Sequence, residues 1–150
     1  MLEIFCFTVD DVRLAVPLKV VDKVIRAVTV TPVPKAPPIF HGLIDYHGKI
    51  IPVINLRHRL KLSESDISPE QVFIIADTSL RQIAMVADTS EGVLISADEV
   101  FPAEYLSQQI EASGVLRTKD GMILIYDIEK FLLDEEIELL DEVIKTDFPN

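Results

Sequence analysis

The sequence repeats one pattern at a period of about 70 residues, and this repeat constrains the fold more than any other feature. In each unit, a glycine is followed by an apolar run and then by a capping residue, which is Asn55 in the first unit and Asp127 in the second. Two apolar residues, four positions apart, follow each capping residue. The segment 13–16 likewise resembles 82–85, which lies 69 positions further on. Two like units in tandem predict an internal duplication.

Each unit reads as a series of short β-strands. Runs of β-forming residues are separated by turn signals such as Asp10-Asp11 and His47-Gly48. About five short strands per unit, at this spacing, are typical of small barrels. The polar stretch 63–69 is the best internal boundary, so we expect a first barrel at 1–66 and a second at 67–132 within one 150-residue domain.

The C-terminal segment follows a different period. Leu133, Ile137, Leu140 and Ile144 recur at helical spacing, and the other faces are mostly acidic. This pattern predicts an amphipathic helix within 132–145, followed by a tail that ends at residue 150. Docking of the helix onto the barrels is the favoured arrangement, and a groove on a partner is the alternative.

Composition and charge restrict the class of protein. The net charge is −11, with nine basic and five acidic residues in 1–61 but five basic and twenty acidic residues in 62–150. Such acidity argues against nucleic acid as the main partner. The sequence has no apolar run near the length of a membrane span and no secretory signal pattern, and Cys6 is its single cysteine. These features predict a cytoplasmic protein without direct membrane insertion.

No pattern in the sequence indicates catalysis. The three histidines, at positions 41, 47 and 58, lack metal-ligand spacing, and the five glycines form no phosphate-binding loop. Cys6 lies between two phenylalanines and is expected to be a buried strand residue. We therefore predict a binding module with no catalytic residue, metal or cofactor. An enzyme built on a barrel scaffold is the alternative, which a coordinated metal or a deep polar pocket would favour.

Two stretches together resemble the CheW-like family of chemotaxis coupling proteins. They read TPVP at 31–34 and GLIDYHGKIIPVINLR at 42–57. A third stretch, GMILIYDIEKFL at 121–132, is similar to the closing strand and helix of the family. The resemblance extends from Leu2 to about Leu140, and its strength lies in the order and spacing of the pieces.

The resemblance implies an all-β fold of two five-stranded SH3-like barrels with short helices, and a non-catalytic signalling adaptor. The implied partners are the regulatory domain of a CheA-type histidine kinase and the cytoplasmic tip of chemoreceptors. The protein would then be recruited to receptor arrays at the inner face of the membrane. The implied kinase-binding residues are Leu18, Val21 and Val24, with Phe5 nearby. The implied receptor-binding residues are Gly42, Asp45, Tyr46, His47 and Gly48.

The chain departs from the family pattern at the predicted receptor-binding turn. Asp45, Tyr46 and His47 stand where the family has Asn, Leu and Arg, and Lys23 stands where an acidic residue is common. The change from arginine to histidine removes a permanent charge and a bidentate donor. An alternative is therefore a divergent CheW-like scaffold that binds a different soluble partner or serves a non-chemotaxis output.

Overall fold

The fold is all-β with a C-terminal helix, and a computed structural model describes residues 1–98, 100–102 and 112–147. The helices are α1 (Leu56–Arg59) and α2 (Asp134–Asp147), and short 3-10 turns occur at Leu18–Val20 and Ile128–Lys130. The strands are β1 (Leu2–Val9), β2 (Val12–Pro17), β3 (Val21–Arg26), β4 (Phe40–Tyr46), β5 (Lys49–Ile54), β6 (Val72–Asp77), β7 (Gln82–Ala87), β8 (Thr89–Ser96), β9 (Val100–Phe101), β10 (Gly114–Thr118) and β11 (Gly121–Ile125).

The strands form two sheets with equivalent strand orders. Sheet A runs β8-β1-β2-β11-β10-β9, and sheet B runs β3-β6-β7-β5-β4. In both sheets the second strand of a hairpin makes a parallel pair with the last strand of a repeat. In sheet A, β2 pairs with β11 through Ala15 and Ile125. In sheet B, β7 pairs with β5 through Ala84 and Val53. Ile125 lies 72 residues after Val53, which is also the separation of the two capping residues. Ala84 lies 69 residues after Ala15, so the two pairs occupy equivalent positions and confirm the duplication.

The two repeats exchange their N-terminal hairpins. The β1–β2 hairpin of the first repeat lies in sheet A among the strands of the second, and the β6–β7 hairpin of the second lies in sheet B among the strands of the first. The division at residue 66 therefore does not coincide with the division into sheets. Both barrels contain strands from each side of that boundary.

Both sheets close into barrels through the segment that follows their edge strand. In sheet B, Thr31 exchanges two backbone hydrogen bonds with Leu43 of β4, at 2.8 and 2.9 Å. In sheet A, the equivalent segment is the short β9, which pairs with β10 and makes this sheet six-stranded rather than five-stranded. This architecture confirms the predicted pair of small barrels.

The described apolar residues pack in three clusters, which correspond to two barrel interiors and one shared core. The interior of barrel A includes Cys6, and that of barrel B includes Phe73. The largest cluster lies between the barrels and contains the fully buried Phe7 and Leu14. Burial raises the pKa of the Cys6 thiol, which keeps it protonated as a small apolar residue. The burial expected for Cys6 is confirmed.

The C-terminal helix docks onto the barrels, as predicted. Leu140 is buried in the shared core, and Ile144 packs against it. Ion pairs between Arg59 and Glu136 and between Arg81 and Asp141 hold the two flanks of α2. The prediction was wrong at the start of the helix, because Leu133 precedes α2 and is exposed.

Candidate functional site

The predicted kinase-binding residues lie at one end of the shared core. Leu18 begins the 3-10 turn after β2, and Val21 begins β3; both are half-buried against the shared core. Val24 lies further along β3, an edge strand of sheet B, and is 37% exposed. These three residues form the β3 patch. Phe5, expected nearby, is buried in the shared core.

The side chain of Ile25 does not join the β3 patch, although it is the next apolar residue after Val24. Residues 21–26 form a strand, so Val24 and Ile25 point to opposite faces. Ile25 packs against the interior of barrel B, while Val24 pairs with Ile74 of β6, a residue of the shared core. Val24 is consequently the most accessible of the three patch residues.

Sheet A presents an apolar edge at the equivalent position, which the sequence analysis did not identify. Val93 of β8 pairs with Phe5 of β1, as Val24 pairs with Ile74 of β6 in sheet B. Val93 and Ile95 are 55% and 57% exposed. The signal available in the sequence was the offset of 69 residues between Val24 and Val93.

The predicted receptor-binding residues Gly42, Asp45, Tyr46, His47 and Gly48 all belong to the β4–β5 hairpin. His47 and Gly48 form its two-residue turn, with φ of 53° and 86°. Two positive φ values are typical of a type I′ turn. The Oδ1 atom of Asp45 accepts a hydrogen bond of 2.8 Å from the backbone N–H of Gly48, which fixes the turn. Gly42 lies within β4 and is buried.

A cation–aromatic stack joins strand β3 to this turn. The Nζ atom of Lys23 lies 5.0 Å from the ring centroid of Tyr46, and the Tyr46 and His47 rings meet edge to face at 4.4 Å. A β-bulge between Val21 and Lys23 shifts the register, so Lys23 pairs with Ile75, which faces the interior of barrel B. The structure thus links the strand of one predicted site to the turn of the other through Lys23, which the sequence marked only as a departure from the family pattern.

Two polar tethers connect the exchanged hairpins to the short helical segments after β5 and β11. In the first, Arg57 contacts Asp10 at the tip of the β1–β2 hairpin at 2.6 Å and Asp88 at 3.3 Å. In the second, Glu129 accepts hydrogen bonds of 2.6 and 2.9 Å from the backbone N–H and the hydroxyl of Ser79, at the tip of the β6–β7 hairpin. Each tether joins sheet A to sheet B.

The charges of the first tether stabilise one another. Burial acts to raise the pKa of Asp88, but hydrogen bonds from Gln71, from the backbone N–H of Asp10 and from Arg57 outweigh it and lower that pKa. The hydrogen bond to Asp10 raises the pKa of Arg57. Asn55, predicted to cap α1, accepts a hydrogen bond from the backbone N–H of His58 at 3.2 Å and positions Arg57 beside the hairpin.

An open cleft of about 690 Å³ lies between residues 27–30 and 65–69, with His41 at its base. His41 and Asp66 are the titratable residues in its lining. Desolvation lowers the pKa of His41, which favours the neutral imidazole. Within the described residues, no group of three or more His, Cys, Asp or Glu side chains could hold a metal ion. In the same part of the chain, no helix has the length and apolarity that a membrane span requires.

Comparisons with known proteins agree across most of the chain. The family model described as the CheW-like domain matches residues 3–136. Protein FrzA of Myxococcus xanthus is 34% identical over 121 residues, covering 75% of this chain and 76% of that protein. The chemotaxis protein CheW of Thermotoga maritima is 31% identical over 144 residues, covering 94% of this chain and 93% of its own length.

The fold is also found in a solved structure. The crystal structure of the scaffolding protein TtCheW from Thermoanaerobacter tengcongensis superposes with a TM-score of 0.80. The superposition covers 90% of this chain and 94% of that chain at 23% sequence identity. The TM-score shows that the two chains share a fold.

Proposed function

This chain belongs to the CheW-like family of chemotaxis coupling proteins, and from that premise we propose that it links a CheA-type histidine kinase to chemoreceptors in the cytoplasm. It acts as a scaffold or adaptor, so its effect on the kinase comes from effective concentration and geometry rather than from a covalent step. Recruitment to receptor arrays at the inner face of the membrane follows from receptor binding.

The β3 patch is the proposed contact for the regulatory domain of the kinase. The single observation that carries this assignment is the exposure of Val24 on an edge strand next to the half-buried Leu18 and Val21. The buried centre of an interface is more apolar than the rest of the protein surface, and edge strands offer unpaired backbone groups. The β3 patch combines both features.

The test measures binding of the kinase regulatory domain by isothermal titration calorimetry. Val24→Asp places a charge in the proposed contact, and we expect affinity to fall at least ten-fold, which corresponds to about 1.4 kcal/mol. Leu18→Asp and Val21→Asp should act in the same direction. Val93→Asp is the matched control at the equivalent position of sheet A. Unchanged affinity in the Val24, Leu18 and Val21 variants would reject the assignment.

The β4–β5 turn is the proposed contact for the receptor tip. Its support is the ordered set of Asp45, Tyr46 and His47, in which the Asp45 carboxylate and the Lys23 ammonium hold the turn and the ring in place. A rigid aromatic side chain loses little conformational freedom on binding. Because Asp45 and His47 replace the usual amide and guanidinium, the alternative partner is a divergent receptor or a soluble sensor that recognises this different set of donors.

A binding assay with the cytoplasmic fragment of the cognate receptor tests the turn. Tyr46→Ala should weaken binding several-fold, and His47→Asn should do so while preserving the positive φ that asparagine tolerates. Lys119→Ala is the control, because Lys119 occupies the turn position equivalent to His47 in the β10–β11 hairpin. If the receptor fragment binds all three variants equally, the contact lies elsewhere. Retained kinase binding with no receptor binding in the unaltered protein would favour the divergent scaffold.

A further inference from the structure

An apolar groove beside α2 uses residues that belong to neither proposed interface. It lies between α2, the 3-10 turn Ile128–Lys130 and the β6–β7 turn. Ile128, Leu132, Ile137 and Leu140 line its floor. Leu80 forms one wall at the tip of the β6–β7 turn and is 67% exposed. Leu80 lines the same groove as the half-buried Leu132 and Ile137, and a contiguous apolar surface of this kind is a candidate contact for another molecule.

The flank of α2 that borders this groove is acidic. Arg81 lines the groove and pairs with Asp141, which identifies the flank. Asp134 and Glu138 precede Asp141 at helical spacing and lie on the same flank. Neither residue has an ion-pair partner within the described part of the chain. Glu129 lies on the opposite side of the groove.

We propose that this groove docks a basic amphipathic helix of a protein partner, with one apolar side chain against Leu80 and basic side chains toward Glu129, Asp134 and Glu138. Charge complementarity selects this occupant, since the carboxylates of Glu129, Asp134 and Glu138 border an apolar floor. The same charge repels nucleic acid and anionic membranes. The 14 residues of α2 present a surface about 20 Å long, which matches a partner helix of about four turns.

A defined peptide tests the proposal with the full-length chain. The probe is a fluorescein-labelled 18-residue peptide with leucines along one helical face and lysines elsewhere, and the control peptide has the same composition in scrambled order. Fluorescence anisotropy should show at least ten-fold tighter binding of the ordered peptide. Leu80→Asp should weaken that binding at least ten-fold, with Leu80→Ala as a milder variant that alters no charge.

Matched substitutions on the opposite face of α2 separate docking from general attraction. Leu139 is 49% exposed and shares its face with Glu135 and Glu142. Leu139→Asp should leave peptide affinity within two-fold of the unaltered protein. Glu138→Lys should weaken binding several-fold more than Glu135→Lys, although both change the net charge equally.

Three results would overturn the proposal. One is equal binding of the ordered and scrambled peptides, which would indicate unspecific charge attraction. Another is an equal loss in the Leu80 and Leu139 variants, which would show that the loss does not arise at the groove. The third is a concentration-dependent dimer that Leu80→Asp abolishes in sedimentation experiments, because a second copy would then occupy the groove. Kinase and receptor binding are measured separately through Val24 and Tyr46, so failure here is distinguishable from failure of the proposed function.

Discussion

The two barrels share one strand order but differ at equivalent surface positions. The edge of sheet B presents Val24 and Arg26, whereas the edge of sheet A presents Val93 and Ile95 at the same positions. The β4–β5 turn carries an aromatic pair, whereas the β10–β11 turn consists of Lys119 and Asp120. Duplication therefore preserved the strand pairing while the surfaces acquired different chemistry, so the two barrels are suited to different partners.

The tethers differ in the same way. The first consists of a guanidinium between two carboxylates, and the second of a carboxylate that accepts from two neutral donors of Ser79. Both hold an exchanged hairpin against the opposite sheet. Both repeats therefore exchange their hairpins in the same way. Ion pairs hold the hairpin in the first tether, whereas hydrogen bonds from neutral donors hold it in the second.

The largest expected effect concerns Gly42 of β4 and Gly114 of β10, which occupy equivalent positions in the two repeats. A Cβ atom on Gly42 would lie 2.2 Å from the Thr31 carbonyl oxygen, whereas on Gly114 it would lie 2.6 Å from Cγ1 of Val100. Backbone cannot move as a side chain can, and Gly42 also has a φ of 150°. Gly42→Ala should lower the free energy of unfolding by about 3 kcal/mol or more, and Gly114→Ala by about 1 kcal/mol. Urea denaturation measures both.

The control for these two variants is the position 121 glycine, whose added Cβ would meet nothing within 4 Å. Gly121→Ala therefore isolates the cost of a positive φ, which is 126° at this residue. If Gly42→Ala is no more destabilising than Gly121→Ala, closure of barrel B does not depend on the close approach of Thr31 to β4.

The next effect in size separates the two tethers. Arg57→Ala leaves the Asp10 and Asp88 carboxylates near one another without their shared cation, and should lower the free energy of unfolding by about 2 to 3 kcal/mol. Glu129→Ala removes an acceptor from two partly solvated donors and should cost about 1 kcal/mol. Thermal and urea unfolding measure the difference. Equal losses would show that the ion pairs of the first tether contribute no more to the free energy of unfolding than the hydrogen bonds of the second.

Local patterns in the sequence predicted the repeat, the strands and the caps, because these depend on neighbouring residues. Asn55 and Asp127 both accept a hydrogen bond from the backbone in the following turn, as their positions indicated. The hairpin exchange was not predictable in this way, since the β1–β2 and β6–β7 hairpins have similar patterns and either could fit either barrel. Strand pairing across the chain decides between them.

The same limit applies to the candidate site. The sequence Val93-Leu94-Ile95 reads as a continuous apolar run, and only its place at the edge of sheet A leaves the first and third side chains exposed. Lys23 faces Tyr46 because of a β-bulge, which shifts side chains between faces without a clear local signal. The sequence predicted where the turn lies, but not which residue packs on it.

The smallest expected effect is a pH dependence confined to the first tether. The pKa of Asp88 in the folded protein is below its ordinary value of 3.8, so the unfolded chain binds this proton first as the pH falls. The stabilisation that Asp88 provides is therefore complete above pH 3.8 and is lost as the pH falls through the lower folded pKa. Asp88→Asn should reduce the free energy of unfolding by about 1 kcal/mol at pH 7, and the difference from the unaltered protein should narrow below pH 4.

Urea denaturation from pH 7 to pH 3 measures this difference directly. His41 also has a lowered pKa and also favours folding at higher pH, but it is present in both proteins and cancels in the comparison. Glu129→Gln is the matched change at the second tether, where the carboxylate meets neutral donors rather than a guanidinium. A loss in Asp88→Asn that stays constant down to pH 3 would mean that the Asn side chain fails to fit the space between Gln71 and Arg57. The charge on Asp88 would then not be what binds the β1–β2 hairpin to barrel B.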